Sequence, residues 1–377
     1  MKSPPTLFGD VLRSDHRSCS RRTSAFEFLN LSAWPAAENA RSQLETWFAV
    51  FPESAKKGLR ARFRSSNHNH ESAFFELFLH QVFLRLGLAP EVDPQVPELS
   101  SRPDFLIRNR NGCYYVEAAV AEQTGDFGVD PLENEILDAV DGLAVDLQTR
   151  IAVAASTTGK LHRSVSKNEI QREVRAWLEG IDISSIRSEV RGNPELPIKR
   201  GDWTLTLTAV GLLNRPSDRL IQVGPTRSGR LNDAEVLQKK IHKKANQHSK
   251  LDRPLIVAIN TQSGFEDREE ERSALIDQQP ESVWRTLAGT RHTGLHGVLF
   301  FRTVVPWNLH CVSSNLYLNP FIDPDVPDEL LRLGKAHVCD GKMKWETGEP
   351  LGDLLGLPDD WPGERTSSAD RTDVGPD

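Results

Sequence analysis

At 377 residues the chain is long enough for one large or two ordinary domains, and 38% hydrophobic residues exclude a globally disordered protein. A formal charge of −7 excludes a uniformly basic nucleic-acid coat, so an anionic partner has to meet a local basic patch. Cys19, Cys113, Cys311 and Cys339 stand far apart with no CxxC pair, which argues against a zinc ribbon or disulfide framework and fits a reducing cytoplasm.

Residues 1–25 are polar and Arg/Ser-rich and read as a loose arm. A helix is expected over 38–64, with Leu44, Trp47, Phe48, Val50 and Phe51 on its apolar face and a basic end at Lys56, Lys57, Arg60, Arg62 and Arg64. Residues 71–87 read as a helix that is apolar nearly all round, from Phe74 to Leu86, and such a helix is normally buried on several sides. Gly87 ends it. Strands at 103–108 and 113–120 follow, joined through Asn111-Gly112, a strong hairpin signal.

A helix over 131–147 is expected to pack on that hairpin, before a short strand at Ile151–Ala155. Ser166 and Glu169 form a capping box that opens a helix to about Leu178, and 180–200 reads as loop. Trp203–Leu213 alternates as a strand does, and Ile221–Val223 continues or partners it. A helix spans 233–248. Pro254–Asn260 is a short, wholly apolar strand of the kind found in a covered sheet. A short helix at 281–289 and strands at 297–305 and 311–318 follow, and the segment from Pro358 is nearly devoid of apolar residues.

Strands alternating with helices, with one early hairpin, indicate an α/β protein with a mixed sheet flanked by helices. The expected division is an N-terminal arm and helical extension at 1–65, an α/β core at 66–260, a C-terminal α/β extension at 261–357 and a disordered tail at 358–377. No stretch reaches the ~18 apolar residues of a membrane span, so no membrane partner is expected.

Three acids stand out. On the second strand Tyr115, Glu117 and Ala119 share one face, so Glu117 is the charged member of a core-facing set, costly unless paired or bound to metal. Asp104 stands directly before Phe105-Leu106-Ile107. Glu76 lies among phenylalanines, one helical turn from His80, which could pair with it. The bland alternative is a strand-capping Asp104 and a Glu117 that pairs with a nearby arginine. Carboxylates meeting at one end of a sheet suit a hard cation such as Mg²⁺.

The order helix-Glu, Pro-Asp-Phe strand, hairpin and Val-Glu-x-x strand over 71–121 resembles the PD-(D/E)-x-K nuclease superfamily, the restriction-endonuclease-like fold. The resemblance implies a Mg²⁺- or Mn²⁺-dependent endonuclease acting on DNA or another nucleic acid. It implies that Asp104 and Glu117 hold the metal and that Glu76 supports the site. The chain departs from the pattern at Ala119, where the family has a lysine. Lys240, Lys244 and Gln247 form a stripe on the 233–248 helix, and a lysine moved to a late helix is known in the superfamily. Lys244, or Lys240, is therefore expected to supply the missing charge. Lys239, Lys240, Lys243 and Gln247 are expected to contact nucleic acid. The alternative is a nuclease fold that has lost its chemistry and serves as a nucleic-acid-binding or interaction protein. Thr157–Lys160 ends like a P-loop but lacks the first glycine, and His68 and His70 lack further ligands at finger spacing.

Overall fold

In the computed structural model of the chain, proline divides the first helical run. Helix α1 (Ala25–Leu31) precedes α2 (Pro35–Val50) and α3 (Glu53–Phe63), with Phe51 and Pro52 extended between the last two. The single helix expected over 38–64 is thus two, because proline cannot donate a helical hydrogen bond and clashes with the preceding turn. Described are residues 6–16, 20–21, 23–96, 101–110, 112–121, 131–147, 149–161, 165–186, 192–212, 219–227, 233–247, 251–261, 268–276, 283–284, 294–339 and 342–363. The expected helix at 281–289 falls largely outside them, as do Cys19, Asn111, His248 and Lys250.

Helix α4 (Asn67–Arg85) starts earlier than its apolar run suggests, because the Ser66 side chain caps it by accepting from the Asn69 N–H. It ends as expected. Gly87 takes φ +80°, and the Leu88 N–H reaches back to the Phe83 carbonyl. Phe75 and Phe78 meet Phe301 edge-on, and Phe83 meets Phe105 in the same way. Each buried phenylalanine contributes about 2 kcal/mol, so the register of α4 on the sheet is firmly held.

The chain divides into two compact units. The first joins residues 1–16, 25–124 and 232–377. Its sheet contains β1 (Glu91–Val92), β2 (Phe105–Arg108), β3 (Cys113–Ala121), β8 (Leu255–Thr261), β9 (Leu295–Arg302), β10 (Ser314–Leu318), β11 (Lys335–Cys339) and β12 (Lys342–Glu346), in that spatial order. Strands β2 and β3 form the expected antiparallel hairpin, while β3, β8 and β9 run parallel at the centre. Every residue of β8 is buried, as its apolar run foretold. One face of the sheet packs on α2, α3 and α4. The other packs on α7 (Asp233–Gln247) and α8 (Arg268–Ile276). This is a mixed α/β fold with a large mixed sheet flanked by helices.

The second unit, residues 17–24 and 125–231, has its own sheet, ordered β5-β6-β4-β7. These strands are β4 (Ile151–Thr158), β5 (Glu195–Arg200), β6 (Trp203–Leu212) and β7 (Ile221–Arg227). They share a core with α5 (Pro131–Leu147) and α6 (Lys167–Gly180).

Several expectations change. Helix α5 packs in the core of β4 and β6 rather than on the β2–β3 hairpin. Strand β7 pairs with β4, in parallel, instead of extending or flanking β6. The stretch 180–200 holds strand β5, whose Pro197 and exposed residues mark a sheet edge. The N-terminal segment is not a loose arm throughout. Leu7 and Phe8 are buried, and their N–H groups donate to the Glu45 carboxylate. The core is not the continuous stretch 66–260, because 125–231 folds around its own apolar cluster, and 261–357 supplies strands to the same sheet as the acids. The expected disordered tail does not start at 358. Trp361 packs against the first unit's core and donates to the Pro306 carbonyl, and Asn39 donates to the Pro362 carbonyl. Residues 364–377 lie outside the described residues. Among those described, no helix is long and apolar enough to cross a membrane.

Candidate active site on the central sheet

Strand alternation places Tyr115, Ala119 and Ala121 in the apolar cluster shared with α7, while Tyr114, Val116 and Val120 join the cluster shared with α4. Glu117 belongs to the first set and is 1% exposed. Asp104 stands just ahead of β2. With Phe105 opposite Val116, the register carries Asp104 to the level of Glu117. There Asp104 Oδ2 accepts the Ala118 backbone N–H at 2.7 Å, which fixes its carboxylate beside β3.

Helix α7 supplies the cation. Leu237, Ile241 and Ala245 anchor it to the sheet, and Lys244, next to Ala245, leaves that stripe toward the acids. Its Nζ donates to Glu117 Oε2 at 2.6 Å and lies 3.6 Å from Asp104 Oδ2. Ala119, two residues beyond Glu117 on the same face, has only a methyl group in this cluster. The ammonium thus comes from a neighbouring helix, whereas a lysine at 119 would bring it from the strand itself.

Glu76 approaches from α4. It is 8% exposed, and both of its oxygens are taken by one guanidinium. Arg62 Nη1 donates to Oε1, and Arg62 Nη2 donates to Oε2 at 2.6 Å. The expected His80 partner is displaced. The His80 ring packs on Phe51 with centroids 4.9 Å apart, and Gln81 Nε2 lies 3.4 Å from its Nδ1. Arg62 was visible in the sequence only as one of several basic residues. Its partner is decided by the packing of α3 on α4, which no local pattern encodes.

The electrostatics follow from this crowding. Burial pushes the Asp104 carboxyl up to about 7, Glu117 and Glu76 add to the rise, and Lys244 and the Ala118 N–H oppose it. Burial works against the Lys244 ammonium, but Asp104, Glu117 and Glu76 outweigh it and raise its pKa, so it stays charged. The Arg62 pKa is raised by its hydrogen bond to Glu76 against the cost of burial, with attraction from Asp104 and Asp93 besides. Three carboxylates thus meet two cations, Lys244 and Arg62, and the crowding shows as the raised Asp104 pKa.

An all-oxygen donor pair, one member of which has its pKa raised by neighbouring acids, fits a hard divalent cation. Among the described residues no group of three or more His, Cys, Asp or Glu is arranged to hold a metal. Asp104 and Glu117 would thus be the protein's share, with water and substrate oxygens supplying the rest.

The remaining expected contacts are spread over α7. Lys239 and Lys243 are exposed, Lys239 pairs with Glu235 at 2.5 Å, and Gln247 is exposed with its carbonyl accepting from Ser101. Lys240 is half-buried. The α3 basic cluster divides. Lys56, Lys57, Arg60 and Arg64 line one cleft with Glu53, while Arg62 turns to Glu76. In that cleft Lys56 pairs with Glu53 and Arg64 Nε donates to the Leu7 carbonyl. His70 Nδ1 lies 2.7 Å from the Phe63 carbonyl, a core contact rather than a ligand's environment. Gly159 is a turn glycine at φ +74°, where a Cβ would fall 1.9 Å from the Asp202 carbonyl oxygen.

Comparison with protein-family models, with curated proteins and with solved structures gives no match for this chain.

Proposed function

We propose that the chain is a Mg²⁺- or Mn²⁺-dependent endonuclease that hydrolyses phosphodiester bonds in DNA, on a restriction-endonuclease-like sheet. The observation that carries this reading is the meeting of Asp104, Glu117 and Lys244 at one place, from a hairpin and a helix distant in sequence. A bound divalent ion would activate water and neutralise charge on the scissile phosphate.

The chain's own groups take defined parts. Asp104 and Glu117 would hold the ion through carboxylate oxygens, and the Ala118 N–H orients Asp104. Lys244 is an ammonium, so it acts as a fixed positive charge beside the phosphorane and not as a base. It would donate to a non-bridging phosphoryl oxygen as the bond from water to phosphorus forms and the ester P–O bond breaks, with the water's proton passing through solvent to the leaving oxygen. Glu76, held by Arg62, supports the acidic centre from the other side of the hairpin. Lys239, Lys240, Lys243 and Gln247 of α7 face the nucleic acid around this point. A reducing cytoplasmic setting agrees with Cys113, Cys311 and Cys339, none of which is disulfide-bonded.

A second reading is a nucleic-acid-binding module without chemistry. Its support is the direct hydrogen bond between Lys244 and Glu117, which already offsets one carboxylate. Incubation of supercoiled plasmid with Mg²⁺ or Mn²⁺ separates the two. Nicking by the wild type that is lost in Asp104→Asn and Glu117→Gln supports the nuclease. Binding without nicking supports the module.

A further inference from the structure

The Arg62–Glu76 pair has a form that ordinary stabilisation does not require. Glu76 sits on a helix buried nearly all round, and its two oxygens meet the two terminal nitrogens of one guanidinium. A fork of this kind fixes both the position and the plane of the carboxylate. Arg62 itself is only half-buried, so the guanidinium reaches Glu76 from α3 with one side open to solvent. Glu76 is close enough to Asp104 and Lys244 to act on both, while Arg62 is within electrostatic reach of Asp104.

The two carboxylates that share Lys244 are engaged by an ammonium, a point charge whose contacts exchange readily for a metal and water. Glu76 is engaged by a planar fork, whose two parallel bonds must both break before either oxygen can turn to a metal. The third acid of the site is thereby held in reserve.

We propose that Arg62 is a positioning residue that keeps Glu76 out of metal coordination, so that the centre takes a single divalent ion on Asp104 and Glu117. This rests on the reading of the site as a metal-dependent nuclease and adds its metal stoichiometry and the residue that sets it.

The test is Mn²⁺ binding to the full chain at pH 8, followed by calorimetry and by the electron paramagnetic resonance of free Mn²⁺, with circular dichroism to confirm folding. The wild type takes one ion per chain. Glu76→Gln keeps the glutamine oxygen as an acceptor for Arg62 and still takes one ion per chain, with affinity lowered by the loss of a nearby negative charge. Asp104→Asn loses tenfold or more, on the order expected when metal-site residues change. Arg62→Gln frees Glu76, and a second ion binds per chain. The double variant Arg62→Gln/Glu76→Gln returns to the wild-type value, and Arg62→Lys, whose ammonium cannot form the fork, behaves as Arg62→Gln does. A merely structural arginine would move none of these stoichiometries.

Loss of binding in the charge-balanced Arg62→Gln/Glu76→Gln equal to that in Asp104→Asn overturns the proposal, as does a folded Arg62→Gln that still takes one ion per chain. If the wild type binds one Mn²⁺ with this pattern of variants but never nicks DNA, the nuclease reading fails and the role of Arg62 stands. If the wild type and Arg62→Gln both bind no Mn²⁺, both fail.

Discussion

Lys244 donates to Glu117 at 2.6 Å although 127 positions separate the two residues along the chain. The contact requires β3 to bury Glu117 on the face that α7 covers, and it requires α7 to turn Lys244 just off its apolar stripe. The ammonium therefore both neutralises a nearly inaccessible carboxylate and holds positive charge beside Asp104.

Lys244→Ala should be costly for folding as well as for cleavage. It removes the ammonium from an acid that is 1% exposed, and breaking one side of a buried pair typically costs about 3 kcal/mol or more. Urea unfolding is expected to show that loss, and Lys244→Ala/Glu117→Gln should recover most of it. A double variant as unstable as the single one would contradict the pairing.

Moving the charge back to the strand is a second test. Ala119→Lys in the wild type inserts a long side chain beside the Leu237–Ile241–Ala245 stripe, and overpacking of this kind costs about 1–3 kcal/mol. In a Lys244→Ala background the same change is expected to restore part of the plasmid nicking. Equal inactivity of both backgrounds would show that the strand position cannot replace the helix.

Asp104→Asn should stabilise the metal-free protein at neutral pH. The Asp104 pKa is raised from 3.8 to about 7 by burial and by Glu117. Between those values the unfolded chain has lost a proton that the folded chain keeps, so stability falls as pH rises through this window. Asparagine avoids that loss and can still accept the Ala118 N–H. Added Mg²⁺ should raise the melting temperature of the wild type but not of Asp104→Asn, as binding to the folded state alone requires. Thermal melts with and without EDTA measure both effects.

His80 should make the protein acid-sensitive. Burial lowers its pKa from 6.5 to about 4. Between these values the unfolded chain binds a proton that the folded ring does not, so stability drops as pH falls from 6.5 toward 4. One such ring costs about 2 kcal/mol at pH 5. His80→Phe, which keeps a ring against Phe51, should flatten this part of the stability–pH curve. Burial lowers the His70 pKa too, so a shallower slope of the same sign should remain.

The basic surfaces can be told apart by salt. If α7 meets backbone phosphates, Lys239→Gln and Lys243→Gln should each reduce the slope of log K against log salt by about 0.9 for duplex DNA. Lys57→Gln and Arg60→Gln ask the same of the α3 cleft. Unchanged slopes for one pair would remove that surface from the DNA path.

Much of the first unit was legible in the sequence because its signals are local. The apolar run of α4, Gly87, the hairpin dipeptide and the lysine stripe each depend on residues a few positions apart. Strands β5, β11 and β12 were missed because their apolar signals are short. KAHVC and KMKWE do alternate, with Ala336, Met343 and Trp345 turned to the core, but each run is only five residues long, and ELPIKR is a six-residue edge strand broken by Pro197. The insertion of 125–231 was missed because β3 pairs with β8 across it, and parallel pairing leaves no mark in the intervening sequence. Arg62 was seen as a charge but not as a partner, since its role depends on where α3 lands on α4.

The separation of Glu117 from Lys244 has a consequence during synthesis. A ribosome that has released β2 and β3 has delivered both acids, yet it must translate the whole of 125–231 before the lysine emerges. At ordinary elongation rates of about 5–20 residues per second, this interval lasts seconds. Through it, β3 lacks its neighbour β8, and Glu117 has neither helix nor counter-charge to receive it. The inserted unit can fold meanwhile on its own core, whereas the unit that carries the two acids has to wait, an open strand edge exposed to chaperones, until residues 232–377 arrive.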